Sequence, residues 1–386
     1  MKREKNKRIR VRLRLGRSPH PMYLDLIAKP PKNVVFIYPP VQHYSIKPNF
    51  THKVKVFFWN KLINFFPPTL FIKDVNADLI HSASGTLILN KIPWVTDSEG
   101  VFVSYNYLKM NNKHYIKQLY KQLSNENCKF ILPWSKASLK SFQTIFGNKL
   151  DHKLRVVYPA KIISKHNPIN KREDVTLIFV GRRFWDKGGY ETLCVYEKLS
   201  RNFKNLKLYM ISEVPKEIKS KFRNKNIIYI KPNMTYDALA EYYKRSDIFI
   251  FPTFVDTFGF VFLEAMEFKL PIVTLDVFAT SEIVKHKYNG IVLPAPITPY
   301  AKNIFDISKW QNYSGFLKYL ITTKDSSERQ ELVDNLEIVL TKLLRSKALR
   351  QKYGRNGYKL VSKGKFSIEE RNKKLYKVYQ ESLKIK

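Results

Sequence analysis

The chain has 386 residues, too many for one ordinary hydrophobic core, so its length points to two domains. Apolar residues make up 44% and aromatic ones 14%, enough to fill both cores, which excludes an intrinsically disordered chain. Sixty-nine Lys and Arg stand against 32 Asp and Glu, a net charge of +37 that fits a polyanionic partner: nucleic acid, an anionic membrane surface or a phosphorylated substrate. Charge alone does not choose among these, and a Lys-rich solvated surface is the plainer source of it.

Only Cys128 and Cys194 occur, far apart and without His or Cys at metal-ligand spacing, so both read as small apolar fillers in a reducing compartment. No apolar run reaches the roughly 18 residues of a membrane span, and the charged N-terminus is not followed by the apolar core of a signal peptide. The expected location is the cytoplasm.

The first sixty residues hold 14 Lys and Arg against Glu4 and Asp25. Within them "RIRVRLRLGR" alternates Ile9, Val11, Leu13 and Leu15 with Arg8, Arg10, Arg12 and Arg14, a period of two that predicts a strand, closed by Gly16. A disordered basic arm is left for residues 1–7. Apolar runs follow at "NVVFIYPP", "ADLIHSAS", "IPWVTDSE" and "CKFILPWS", with segments of helical length between them and Ser135 as N-cap of "KASLKSFQTIF". Strands alternating with helices imply parallel βαβ units. "LRVVYPA" ends the first half, and "KIISKHNPINKRED" reads as a linker.

The second half repeats the alternation with strands at "VTLIFVG", "LKLYMIS", "IIYIKP", "DIFIFPT", "PIVTLD" and "IVLP", and helices between most of them. From about Asp325 the chain reads as helical, with Ser367 and Glu370 as the capping box of the last helix. The expected fold is α/β: two doubly wound, Rossmann-like domains facing a cleft, the C-terminal helices packing back on the first. The expected domains are 1–160 and 175–365, joined by a linker at 161–174 and followed by a helix at 366–386.

Two motifs carry chemistry. In "FVGRRFWDKGG" a strand runs into Gly181, Arg182 and then Lys187 before a helix, a place to hold a diphosphate near the positive end of a helix dipole; alone it reads equally as a solvated surface turn. It is neither a Walker A loop nor GxGxxG. In "DTFGFVFLEAMEF", Asp256 lies in the loop after a strand and Glu264 about two turns into the next helix, or nearer its start if that helix begins late. Gly259 lets backbone approach a ligand, and the amides of Phe258, Gly259 and Phe260 could meet phosphate or sugar oxygens. Alone, this is equally an acidic helix start.

Together, "VGRRFWDKGG", "SDIFIFPTFVDTFGFVFLEAMEFKLPIVTLD" and "SEIVKHKYNGIVLP", in order from about Val175 to Pro294, resemble the donor-binding domain of glycosyltransferase family 4, retaining enzymes of the GT-B fold. The resemblance implies that Arg182 and Lys187 neutralise the diphosphate of a nucleotide sugar. It implies further that Asp256 lies near the donor sugar, that Glu264 binds the ribose, and that backbone from Phe258 to Val261 serves sugar and phosphates. No metal and no cofactor besides the donor substrate is then required.

The chain departs from the family pattern in three places. Asp256 stands where the family has Glu, Phe278-Ala279 where it usually has a glycine pair, and Glu99 where its first domain often has His. Glu99 or Asp97 would contact the donor sugar or the acceptor hydroxyl, with His81 as a further candidate, though each also reads as structural. Gly16 and Arg17 of "GRSPHP" could meet an anionic or lipid-linked acceptor, or form a plain turn.

The reading is a metal-independent retaining glycosyltransferase moving a sugar from a nucleotide-diphosphate donor to a glycan or lipid-linked hydroxyl, peripheral to the inner face of an anionic membrane. Its rivals are a basic nucleic-acid-binding protein, which has no use for Asp256 or Glu264, and a non-catalytic nucleotide-sugar binder.

Overall fold

The structure is a computed structural model describing residues 8–16, 19–39, 66–73, 75–164 and 174–384. Arg17, the basic stretch at residues 1–7 and most of the expected linker lie outside these. The chain divides into two compact units, one holding the described residues up to Ile162 with 302–305 and 365 onward, the other 163–301 and 306–364. Labels below cover the strands of the two main sheets and helices of six residues or more.

Unit 1 runs β1 (Ile9–Arg14), α1 (Pro21–Ala28), β2 (Val34–Ile37), β3 (Leu79–Ser82), β4 (Trp94–Ser98), α2 (Lys113–Ser124), β5 (Cys128–Pro133) and α3 (Lys136–Phe146). The five strands are parallel in the order β2-β1-β3-β4-β5. In β1 the alternation buries Val11 and Leu13 fully and leaves the arginines at the surface or half-covered, each buried side chain contributing roughly 1.5–3 kcal/mol. Ser135 caps α3 as expected, its Oγ accepting from Ser138 N at 2.9 Å. Helix α1 begins at the last residue of "RSPHP" and runs through a stretch for which the sequence reading named no element. Pro21 sits at its start, where a missing N–H costs nothing, and His20 Nδ1 accepts from Met22 N.

Unit 2 runs β6 (Thr176–Val180), α4 (Gly189–Asn202), β7 (Lys207–Ile211), α5 (Lys216–Lys221), β8 (Ile227–Ile230), α6 (Tyr236–Lys244), β9 (Ile248–Phe251), α7 (Phe260–Glu267), β10 (Ile272–Asp276), β11 (Gly290–Pro294), α8 (Tyr313–Thr322), α9 (Ser327–Arg345) and α10 (Lys347–Ser362). Its six parallel strands stand in the order β8-β7-β6-β9-β10-β11, the Rossmann arrangement. Leu177, Ile178 and Phe179 in β6 and Ile248, Phe249 and Ile250 in β9 are all fully buried, as a parallel sheet covered on both faces requires. Helix α9 lies on α4 and α10 on α7. The last helix, α11 (Ile368–Lys384), returns to unit 1 and packs on β3 and β5, opened by Glu370 N donating to Ser367 Oγ.

Each sheet reverses its strand order once, between β1 and β3 in unit 1 and between β6 and β9 in unit 2. Open α/β sheets bind ligands beyond the carboxyl ends of strands at such a point. In unit 2 the segments leaving those ends are 181–188 and 252–259, the two motifs singled out above.

Candidate functional site

The two unit 2 loops are stitched together. Phe254 N donates to Asp186 O at 2.9 Å, and the Thr253 hydroxyl donates to Val255 O at 2.9 Å and toward Asp186 O at 3.3 Å. Gly188, at φ +77°, lies so close to the second loop that a Cβ would stand 2.1 Å from Pro252 O; only glycine fits. Gly181 N donates to Ile211 O at 3.0 Å and fixes the start of the first loop.

The two cations differ. The Arg182 side chain is 69% exposed, its nearest carboxylate Glu213 at 3.9 Å. Lys187 is only 14% exposed, and its Nζ donates to Asp256 Oδ2 at 2.8 Å and to Val255 O at 2.5 Å, over the ring of Phe251. Asp256, 12% exposed, also accepts from Phe258 N at 3.3 Å on its other oxygen. The structure thus brings Lys187 and Asp256, expected to serve diphosphate and sugar separately, into one ion pair.

Helix α7 begins late, at Phe260, behind Gly259 at φ +78°. Glu264 is therefore just over one turn in rather than two, and half-buried. In the first turn Phe262 N donates to Gly259 O at 3.0 Å, and the positive end of the helix dipole faces the loop. The Tyr243 hydroxyl donates to Glu264 Oε2 at 3.0 Å, and its ring stacks on Phe268. Burial, then the Glu264 charge, pushes the Tyr243 phenol well up, so it stays a donor.

Phe278 keeps φ +50°, the left-handed backbone that glycine takes freely and that costs other residues roughly 1–2 kcal/mol. Its ring lies 5.2 Å from that of the half-buried Tyr300, whose hydroxyl is 3.5 Å from Asp256 O. Beneath the second loop, Arg329 of α9 is buried against Glu191 of α4, with its guanidinium 4.5 Å from the centre of the Phe254 ring. Burial raises the Glu191 carboxyl and Arg329 opposes this. Arg183 pairs with the buried Asp186 at 2.8 Å and lies over Tyr313.

In unit 1 the polar groups turn inward. His81, 2% exposed, has Nδ1 2.6 Å from the Tyr379 hydroxyl and Nε2 3.0 Å from Asp97 Oδ2. Asp97 Oδ1 accepts from the Tyr23 hydroxyl at 2.5 Å and from Ser84 N at 2.8 Å. Through these bonds His81 and Asp97 join β3, β4, α1 and α11, and both His81 nitrogens lie within hydrogen-bond distance of protein groups. Glu99 follows β4, half-buried, and Gly16 follows β1. Both thiols are disfavoured as thiolates, Cys128 pushed to about 12 and Cys194 to about 11 mainly by burial. Among the described residues no helix is long and apolar enough to cross a membrane.

Residues 161–315 match the family of glycosyl transferases group 1. An uncharacterized glycosyltransferase of Haemophilus influenzae is 24% identical over 230 residues, 57% of this chain and 64% of that protein. Among solved structures, Anabaena HepE in complex with UDP-glucose is 12% identical with a TM-score of 0.59, over 96% of this chain and 99% of that one. WaaG, a glycosyltransferase involved in lipopolysaccharide biosynthesis, is 14% identical with a TM-score of 0.55, over 94% of this chain and 98% of that one. The fold is GT-B, built from two Rossmann-like α/β domains. The matched glycosyl transferase segment contains Gly181, Arg182, Lys187, Asp256, Phe258, Gly259, Phe260, Val261 and Glu264, all at the unit 2 switch point. Gly16, His81 and Glu99 are in unit 1.

Sequence reasoning missed Tyr243, Tyr300 and Arg329. Tyr243 carried one faint signal, the three-residue spacing from Ala240 that puts both on the buried face of α6. Arg329 lies 138 residues from Glu191, and nothing local announces a buried pair at that distance.

Proposed function

We propose that this chain is a retaining glycosyltransferase of the family 4 type, which transfers a sugar from a nucleotide-diphosphate sugar to a hydroxyl of a glycan or lipid-linked acceptor without a metal. The observation that carries the reading is the switch point of unit 2. There the exposed Arg182 and the Lys187–Asp256 pair lie in the two loops that leave the carboxyl ends of β6 and β9, and α7, which carries Glu264, starts at the end of the second loop. As the sugar–phosphate bond breaks, negative charge gathers on the diphosphate, and preorganised cations and amides stabilise that charge most in the transition state. Glu264, oriented by Tyr243, accepts from ribose hydroxyls, and Asp256 accepts from the donor sugar. Glu99, with Gly16 and Arg17, serves the acceptor. HepE, bound to UDP-glucose, supports this donor class.

A panel of UDP-, GDP- and ADP-sugars tests the reading through thermal stabilisation and slow donor hydrolysis, with Arg182→Ala and Glu264→Ala as controls. One donor should stabilise and be hydrolysed, and both variants should lose this. If no nucleotide sugar acts and a nucleic acid binds tightly instead, the enzyme reading is wrong; stabilisation without turnover when acceptors are supplied leaves a sugar-nucleotide binder. The +37 charge supports peripheral binding to anionic membrane, checked by co-sedimentation with vesicles of rising anionic content.

A further inference from the structure

The ion pair between Lys187 and Asp256 raises a question that the roles above do not answer. A lysine meant for a diphosphate is already bound, at 2.8 Å to a carboxylate and 2.5 Å to Val255 O, and both members are about seven-eighths enclosed. At that depth the attraction is screened far less than at the surface. The carboxylate is also anchored from its other side by Phe258 N, so it does not simply swing away. Arg182, five residues earlier, carries no comparable restraint.

We propose that Asp256 is a positioning residue that latches Lys187 and thereby lowers the affinity of the site for a bare nucleoside diphosphate relative to the nucleotide sugar; this rests on the donor-site reading above. A diphosphate arriving without a sugar must draw Lys187 from Asp256 and leave a partly buried carboxylate unpaired beside its own negative charge. A nucleotide sugar makes the same demand but supplies a hydroxyl that donates to the freed carboxylate. Once the sugar has left, that hydroxyl is gone, Asp256 recaptures Lys187, and the product nucleotide is released. The side chain being Asp fits this: one methylene shorter than Glu, its carboxylate stays beside the lysine and the helix start.

Calorimetric titration of the full chain with UDP, GDP, ADP, inorganic pyrophosphate and the corresponding sugar nucleotides tests the latch. Asp256→Asn should bind the matching nucleoside diphosphate and pyrophosphate about tenfold more tightly than the wild type, because one competing charge at partly buried depth is removed. Its preference for sugar nucleotide over nucleoside diphosphate should fall. In a Lys187→Ala background the same change should tighten binding much less. Asp256→Ser gives the same direction should the Asn variant fail to fold. Unchanged or weaker diphosphate binding, or equal tightening without Lys187, overturns the latch. If neither wild type nor variants bind any of these ligands, the donor-site reading falls and the latch with it.

Discussion

At the carboxyl edge of the first sheet, His81, Asp97, Tyr23 and Tyr379 satisfy one another in the interior, whereas at the same edge of the second sheet Arg182 stands 69% exposed. The two sheets reverse strand order in the same way and so offer the same crevice. The difference lies in where the polar side chains point. A buried network holds elements together and cannot tolerate a missing partner. An open cation beside a helix start adds little to stability and is available to an anion. A shared topology therefore marks two possible sites, and only the state of the side chains says which one is set up to bind.

Substitutions can break this contrast, and the largest effect should come from under the unit 2 loops. Arg329→Ala leaves Glu191 buried without its cation and should cost about 3–5 kcal/mol in chemical denaturation. Removing both charges, as Arg329→Met with Glu191→Leu, should recover most of that loss. Arg182→Ala should do the opposite: turnover about 100-fold lower with an unchanged melting midpoint. Equal losses of stability and turnover would show that Arg182 is structural. In unit 1, Tyr379→Phe leaves His81 Nδ1 without its partner and should cost about 1–3 kcal/mol while nucleotide affinity stays as it was.

The smallest effect is a pH dependence at His20. Burial lowers its ring from 6.5 to about 4, and the neutral Nδ1 caps α1 by accepting from Met22 N. Above about 6.5 the ring is neutral both folded and unfolded. Between that value and about 4 only the unfolded chain takes up the proton, so this contribution is lost as pH falls through the window. His20→Asn, which keeps a capping acceptor but does not titrate, should flatten the stability profile there.

Much of this was legible in the sequence because it is local. Alternation in "RIRVRLRLGR" and unbroken apolar runs in "TLIFV" and "IFIF" identify strands, and the loops holding Arg182 and Asp256 follow two of them directly. Three things were hidden because they depend on residues far apart in the chain. The pairing of Lys187 with Asp256 needs two loops 69 residues apart, and the tyrosine beneath Glu264 lies 21 residues before it. His81 was ambiguous for the same reason, since its partner Tyr379 comes 298 residues later. Phe278 shows the converse: its sequence departs from the glycine expected by resemblance, yet its backbone keeps the left-handed geometry.

Hydrogen exchange of the wild-type chain, with and without the nucleotide sugar that stabilises it, tests the central claim most directly. The account expects new protection at the amides of residues 181–188 and 257–262, lost in Arg182→Ala, with the loops after β1 and β3 unchanged by donor alone. Protection confined to residues 9–16 and 81–86, or none anywhere at saturating donor, would contradict it.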